Sequence, residues 1–345
     1  MHAMEGAISM SYNDAAVATN LLNPATLSFC LGAAARFVRS ELSIPKDVHS
    51  AISLFLLLAI GLKGGHELAG APIGALVGPV TATVLLGVLT PVIAFLLLRG
   101  VGRLTATDSA AIAAHYGSVS VVTFIAAQTF VTEALAARPD LPRLEGYLPT
   151  LVALLESPGI MVALLLGCMF GKSSKDRDIK GLIHEVVTGR TMFLLLGGLV
   201  LGSVMGQKNW ASIAPFFDPA GGVFRGLLCF FLLEMGISAA SRLAEVRRSA
   251  PVMLGFGILL PLINASLGII AGHWAGLSVG GTAVLATMAS SASYIAAPPA
   301  VKATLPDANP AYYLTMALAV TFPFNIVVGI PLYFDLTERF FKIFS

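Results

Sequence analysis

ATMASSASYIAAPPAVKA, residues 286–303, has the length and apolarity of a membrane-spanning helix, but its middle contradicts that reading. Three serines, Ser290, Ser291 and Ser293, are followed by Tyr294, and the stretch closes on Pro298-Pro299. Proline lacks an amide hydrogen, and its ring disfavours a helical carbonyl four residues back, which for Pro298 is Tyr294. Unwound backbone inside a bilayer survives only where protein or a bound ligand satisfies the freed polar groups. The pattern therefore predicts a helix that unwinds near Ser290–Tyr294, at a site of some purpose.

The whole chain agrees with a bilayer setting. Hydrophobic residues make up 56% of it and charged residues 12%. Soluble chains carry roughly 45–50% apolar residues and about 25% charged ones. The long apolar runs point to an all-α polytopic membrane protein, whereas a transmembrane barrel shows short alternating segments. A net charge of +2 is too small to suggest nucleic acid as a partner. Cys30, Cys168 and Cys229 sit in apolar stretches without metal-binding or disulfide spacing and read as packing residues. The first twenty residues include acids and no basic n-region, unlike a cleavable signal peptide.

Ten spans are expected, at about 25–41, 47–65, 72–98, 107–135, 147–170, 189–207, 220–240, 250–274, 279–303 and 311–334. Basic residues orient them. With the N-terminus outside, the cytoplasmic side holds Arg36, Arg39, Lys46, Arg99, Arg103, Lys172, Lys175, Arg177, Lys180, Arg190, Arg242, Arg247, Arg248 and Lys302. The outer side holds only Lys63, Arg138, Arg143, Lys208, Arg339 and Lys342; Arg225 lies at a span start. Both termini are thus expected to be extracytoplasmic. The segments are an N-terminal extracytoplasmic segment over 1–24, a first five-helix repeat over 25–170, a cytoplasmic loop over 171–188, a second, inverted five-helix repeat over 189–334 and a C-terminal tail over 335–345.

The two halves repeat in the same order. LFLLLAIGLKGGHELA (54–69) aligns with CFFLLEMGISAASRLA (229–244), which sets Gly61 on Gly236. APIGALVG (71–78) aligns with APVMLGFG (250–257), and DSAAIAAHYGSVSVV (108–122) with GTAVLATMASSASYI (281–295). LLESPGI (154–160) aligns with AVTFPFN (319–325), which sets Pro158 on Pro323. Five spans is an odd number, so the halves must cross the membrane in opposite senses. Inverted halves with interrupted helices at matching places are a sequence sign of a transporter site. The fourth and ninth spans are the discontinuous pair. The free N-terminus of a half-helix suits an anion, and free carbonyls suit a cation.

These residues resemble the sodium-dependent bicarbonate transporters, the SbtA-like permeases first known from cyanobacteria. The resemblance rests on IGLKGG (60–65), GSVSVVTF (117–124), FFDPAGGVFRGLL (216–228), LLEMGISAASRLAE (232–245), SASYIAAPPA (291–300) and the run 305–332. It implies ten spans in two inverted five-helix repeats, a gate part and a core part, a homotrimer, and inward bicarbonate transport with sodium in a bacterial inner membrane. It also implies a substrate between Gly117–Ser120 and Ser290–Tyr294, and in some members a cytoplasmic PII-like regulator. The resemblance departs at Tyr294, where cyanobacterial members carry an acid, and at Ala296-Ala297, where they carry Ser-Gly.

Candidate substrate ligands are Gly117, Ser118, Ser120, Ser290, Ser291, Ser293 and Tyr294; small residues of this kind also let helices pack closely. Glu156 is an acid within the fifth span, beside Pro158, and is a candidate sodium ligand. Thr123, Thr321 and Asn325 are further candidates for sodium, with polar contact between helices as the competing role. His115 opens the fourth-span motif and reads as a structural histidine or a proton site. Lys63 and Glu234 near span ends read as snorkelling or paired charges. Sodium is the only cofactor implied, with no organic group. Partners are a small anion such as bicarbonate, and membrane lipid. Another small oxyanion or carboxylate, or sodium–proton exchange, would use the same architecture. A membrane sensor has only the short 171–188 loop to signal with, and no metal motif supports an intramembrane enzyme.

Overall fold

Long apolar runs leave the backbone no partner but itself, and the outcome is helix. The computed structural model describes residues 22–136, 138, 140–171, 184, 188–245 and 250–344. Most of the N-terminal segment, the basic residues Lys172, Lys175, Arg177 and Lys180 of the 171–188 loop, and Arg247 and Arg248 lie outside the described residues. The helices are α1 Pro24–Phe37, α2 Lys46–Gly70, α3 Ile73–Gly100, α4 Ala106–Tyr116, α5 Val121–Ala136 and α6 Leu148–Phe170 in the first half. The second half has α7 Arg190–Phe217, α8 Gly222–Glu245, α9 Ala250–Trp274, α10 Val279–Ser290 and α11 Ala297–Thr304. The last, α12 Pro310–Phe344, contains two π-helical runs, Thr315–Thr321 and Asn325–Gly329.

Among the described residues, eight segments are long and apolar enough to cross a membrane: α2, α3, α4 with α5, α6, α7, α8, α9 and α12. The helix α1 has 14 residues and α10 has 12. The expected first span over 25–41 stops early because Arg39 adopts φ 58°, in the left-handed region. The amide of Ser40 then reaches the Ala35 carbonyl at 2.8 Å and that of Arg39 the Arg36 carbonyl at 3.2 Å, which closes the helix end.

Two departures from the expected boundaries have clear causes. The sixth span was expected to end at 207, but α7 runs on to Phe217 beyond a kink at Gly206, φ 73° and ψ 162°. Its last part packs Phe216 and Phe217 against Phe55, with ring centroids 5.1 and 5.3 Å apart. The tail expected from 335 is helical to Phe344. Its charges have partners that apolarity counting ignores: Asp335 with Arg339 at 2.8 Å, and Glu338 with Arg138 at 3.0 Å.

The helices sort into two groups. The most extensive contact is α2 on α7, followed by α1 on α8. The other group centres on α9 with α10, α3 with α6, α4 with α6, and α3 with α4. Exchanging the halves turns the contact of α1 with α8 into that of α7 with α2. Glycine makes both crossings possible. A methyl group at Gly61 would lie 2.9 Å from the Gly198 Cα, and methyl groups at Gly65 and Gly202 would collide with the carbonyls of Leu199 and Leu62. On the other crossing, Gly32 and Gly236 abut the backbones of Leu233 and Phe29.

Lys63 and Glu234 both have partners, although Glu234 sits in the middle of α8 and not near its end as expected. Lys63 lies 2.7 Å from Glu67 and 3.3 Å from Asp218, beneath the Trp210 ring at 5.3 Å. His49 lies 3.4 Å from Glu234 and stacks on Phe231. Two of the helix prolines find compensation. Pro79 leaves the Ala75 carbonyl without its helical donor, and the Tyr147 hydroxyl supplies one at 3.4 Å. Pro261 frees the Gly257 carbonyl in the same way, and the Thr321 hydroxyl donates to it at 2.6 Å. That bond ties α9 to α12.

The glycine crossings yield a stability prediction. Gly202→Val forces α2 and α7 apart and costs about 1–3 kcal/mol, the usual penalty of overpacking. Gly197→Ala, on the same helix with nothing within 4 Å of its added methyl group, stays within about 0.5 kcal/mol of the parent. Thermal unfolding of the detergent-purified pair measures the contrast, and equal midpoints would remove the glycine argument.

Candidate functional site

The chain leaves helical geometry twice in the interior, between α4 and α5 and between α10 and α11. The first gap is Gly117–Ser120, as the serine pattern predicts. The second is displaced from Ser290–Tyr294: Ser290 still belongs to α10, and the gap runs from Ser291 to Ala296. Proline is accepted in the first turn of a helix, so Pro298 and Pro299 set the start of α11 at Ala297. Both half-helices that enter the crossing are capped at their far ends. The Thr105 hydroxyl accepts from the Asp108 amide, and the Ser278 hydroxyl from the Gly281 amide, each at 3.0 Å. Glu145 holds Ser278 in turn, accepting from its amide at 2.6 Å and its hydroxyl at 3.0 Å.

The two gaps are stitched to each other. The Ser120 amide donates to Ser291 Oγ at 2.8 Å, and the Ser293 amide donates to the His115 carbonyl at 2.8 Å. Ser291 Oγ donates its own proton to the Met288 carbonyl at 2.7 Å. Gly117 is enclosed: a methyl group there would lie 2.8 Å from Pro91 Cβ and 3.0 Å from the Gly159 Cα, and one on Gly159 would strike the Gly117 carbonyl. The crossing of the broken segments thus depends on glycine at 117 and 159.

The two sides of the crossing differ in polarity. The first turn of α5 offers the amides of Val121 and Val122, and no hydrogen bond outside the helices uses either among the described residues. The Thr123 amide turns back to Ser120 Oγ at 3.3 Å. The start of α11 offers less, because Pro298 and Pro299 have no amide hydrogen. The C-terminal ends of α4 and α10 bring carbonyls and negative dipole ends to the same region. An anion is favoured at the start of α5 and a cation at the end of α10.

Gly117, Ser118, Ser120, Ser290, Ser291, Ser293 and Tyr294 all lie at the crossing, and the five serines are at most 4% exposed. Among the described residues, Ser118 Oγ, the Tyr294 hydroxyl and Glu156 Oε2 have no hydrogen-bond partner. The Tyr294 hydroxyl faces Ser120, and its ring meets Phe322 edge to face at 5.4 Å. Glu156 is 1% exposed. It shares a face of α6 with Gly159, three residues on, which puts it beside the first gap. Thr123 is buried in the first turn of α5.

On α12, Asn325 Nδ2 donates to the Ser290 carbonyl at 3.1 Å, and its Oδ1 accepts from the Tyr333 hydroxyl at 2.9 Å. Thr321 stands apart from these. Its proton goes to the Gly257 carbonyl, so the Tyr116 hydroxyl, 2.5 Å away, must donate to it. The chain Tyr116–Thr321–Gly257 ties helices together and leaves Thr321 Oγ1 one lone pair. His115 is fully buried, bonds Ala111 through Nδ1 at 2.8 Å and stacks on Tyr313 at 4.6 Å.

Sequence reasoning passed over Tyr116, Phe322, Tyr333 and Asn264. Tyr116 adjoins the predicted gap, and Asn264 is a lone amide in an apolar span; both carried a usable signal. A cavity of about 400 Å³ reaches the second gap, lined in part by Ile160, Arg190, Ile295, Ala296 and Pro299. Elsewhere, Phe29 of α1 packs on Phe322 edge to face at 5.5 Å, and Phe322 on Tyr294. Among the described residues no three His, Cys, Asp or Glu side chains form a metal cluster, so a bound cation would rely on scattered oxygens.

The family model of the Na+-dependent bicarbonate transporter superfamily matches residues 24–338, nearly the whole chain. A search of the curated proteins finds no match. The chain belongs to the Na+-dependent bicarbonate transporter superfamily, and its apolar helices are those of a multi-pass membrane protein.

Proposed function

We propose that this chain imports bicarbonate together with sodium by alternating access, from a bacterial inner membrane in which both termini face outward. The observation that carries the reading is the pair of interrupted helices bonded to each other, with Ser118 Oγ and Glu156 Oε2 buried and unpartnered beside them. Partnerless oxygens in a packed interior await a ligand. Bicarbonate, small and singly charged, fits the amide end of α5 and the Ser118 hydroxyl. Sodium fits Glu156 and the carbonyls that end α4.

Ten spans in two inverted halves accommodate the helix pattern, with α1 and α10–α11 counted as spans. The mutual exchange of the contacts of α1 with α8 and of α2 with α7 supports that symmetry. The group α1, α2, α7 and α8 serves as the gate, and the remainder as the core that carries the ligands. The cavity lined by Arg190 and Pro299 would open to the cytoplasm, while the stack of Phe29, Phe322 and Tyr294 shuts the outer side. The resemblance to the SbtA-like permeases extends the reading to a homotrimer. A cytoplasmic PII-like regulator, as in some members, belongs to the same reading.

A tenfold sodium gradient supplies about 1.4 kcal/mol per ion. Uptake of radiolabelled bicarbonate into proteoliposomes, with and without that gradient, tests the function directly. Equal uptake in the two conditions would end the sodium-coupled reading.

Ser118→Ala leaves no bond broken in the resting structure, so the protein should fold as before. Loss of one hydrogen bond to a charged ligand costs about 1.5–3 kcal/mol. Sodium-driven uptake at limiting bicarbonate should then fall roughly 10–150-fold. Wild-type uptake in this variant would move the anion away from Ser118.

Glu156→Gln should abolish most of the thermal stabilisation that sodium, but not potassium, gives the purified protein, since only binding to the folded state raises apparent stability. A sodium shift of full size in the variant would exclude Glu156 as a ligand.

A further inference from the structure

Asn264 lies in the middle of α9, is fully buried, and neither its Nδ2 nor its Oδ1 has a hydrogen-bond partner among the described residues. Buried amides are normally bonded at both ends, so one left bare on both marks a missing companion. The register of α9 on α10 locates it. Gly272 abuts Thr282, and Gly268 abuts Ala286 one turn further along. The two helices run antiparallel, so the next turn sets Asn264 level with Ser290, the last residue of α10.

That level is rich in oxygen. The Ser290 carbonyl accepts from Asn325 at 3.1 Å, which leaves it a second lone pair. Asn325 Oδ1 accepts from Tyr333 and also keeps one. The negative end of the α10 dipole lies there too.

We infer that Asn264, Asn325 and the terminal carbonyls of α10 form a sodium site separate from Glu156. Oδ1 of Asn264 would face the ion, and Nδ2 would donate to a free carbonyl of the last α10 turn. The ligands are all neutral, which suits a singly charged hard cation; multiply charged ions draw on carboxylates. The inference rests on the sodium-coupled reading above and fixes its stoichiometry at two sodium ions per bicarbonate, so transport carries net charge.

The test is a sodium titration of thermal stability with the purified full-length protein, in parallel with Asn264→Leu. Wild type should show a sodium-dependent rise. The variant should need roughly 10–150-fold more sodium for its second increment, the loss expected for one charged contact, while the increment removed by Glu156→Gln persists. A variant with an unchanged titration and a higher midpoint in sodium-free buffer would overturn the site, since Asn264 would then be an uncompensated amide that leucine improves. If Asn264→Leu does not fold, Asn264→Ala is titrated under the same criteria. A wild type without any sodium response would instead bring down the sodium-coupled reading itself.

Discussion

A backbone amide that is in neither helix nor water needs a partner within the protein, and the crossing of the two interrupted segments is built on that need. The bonds from Ser120 to Ser291 and from Ser293 to His115 give each gap what the other lacks. Neither gap is stable alone in an apolar interior, where each unpaired group costs several kcal/mol. Two gaps at the same depth make the arrangement tolerable. The amides of Val121 and Val122, the Ser118 hydroxyl and the Glu156 carboxylate remain over, and that remainder is what a ligand can use.

The same economy shapes the surroundings. Each helix proline removes a donor, and a hydroxyl from a neighbouring segment replaces it at Ala75 and at Gly257. These bonds lie within the group that carries the gaps and hold it as one block. Contacts with the other group mix kinds: Phe29 meets Phe322 edge to face, the Asn23 side-chain amide donates to Glu133 at 3.3 Å, and the Thr150 hydroxyl donates to the Gly64 carbonyl at 3.4 Å.

Much of this was legible in the chain. Apolar runs gave the helices, because nothing but helix satisfies the backbone of such runs. The serine clusters and Pro298-Pro299 gave both gaps, with the second displaced because proline fixes where a helix begins rather than where the previous one ends. The ends of α7 and α12 were not legible. Counting apolar residues stops at Lys208 and Asp335, whereas those helices continue because their later residues find partners far away in sequence, such as Phe55 and Arg138. Thr321 illustrates the same limit within the site: its residue type does not reveal that its proton goes to the Gly257 carbonyl freed by Pro261. Asn264 was visible as an amide in an oily span, and only the register of α9 on α10 gives it a location.

On the proposed reading, the burial of Glu156 beside the amide end of α5 also couples the two cargoes. An ionised carboxylate and an arriving anion repel each other strongly where water is scarce. The anion would therefore bind weakly to a site holding Glu156 alone, and well once a positive ion lies between them. Linkage makes the effect mutual, so each ligand would tighten the other by the same factor. Coupled movement then requires no mechanical latch: sodium can enter first, and one acid in a dry place would keep the anion from entering without it.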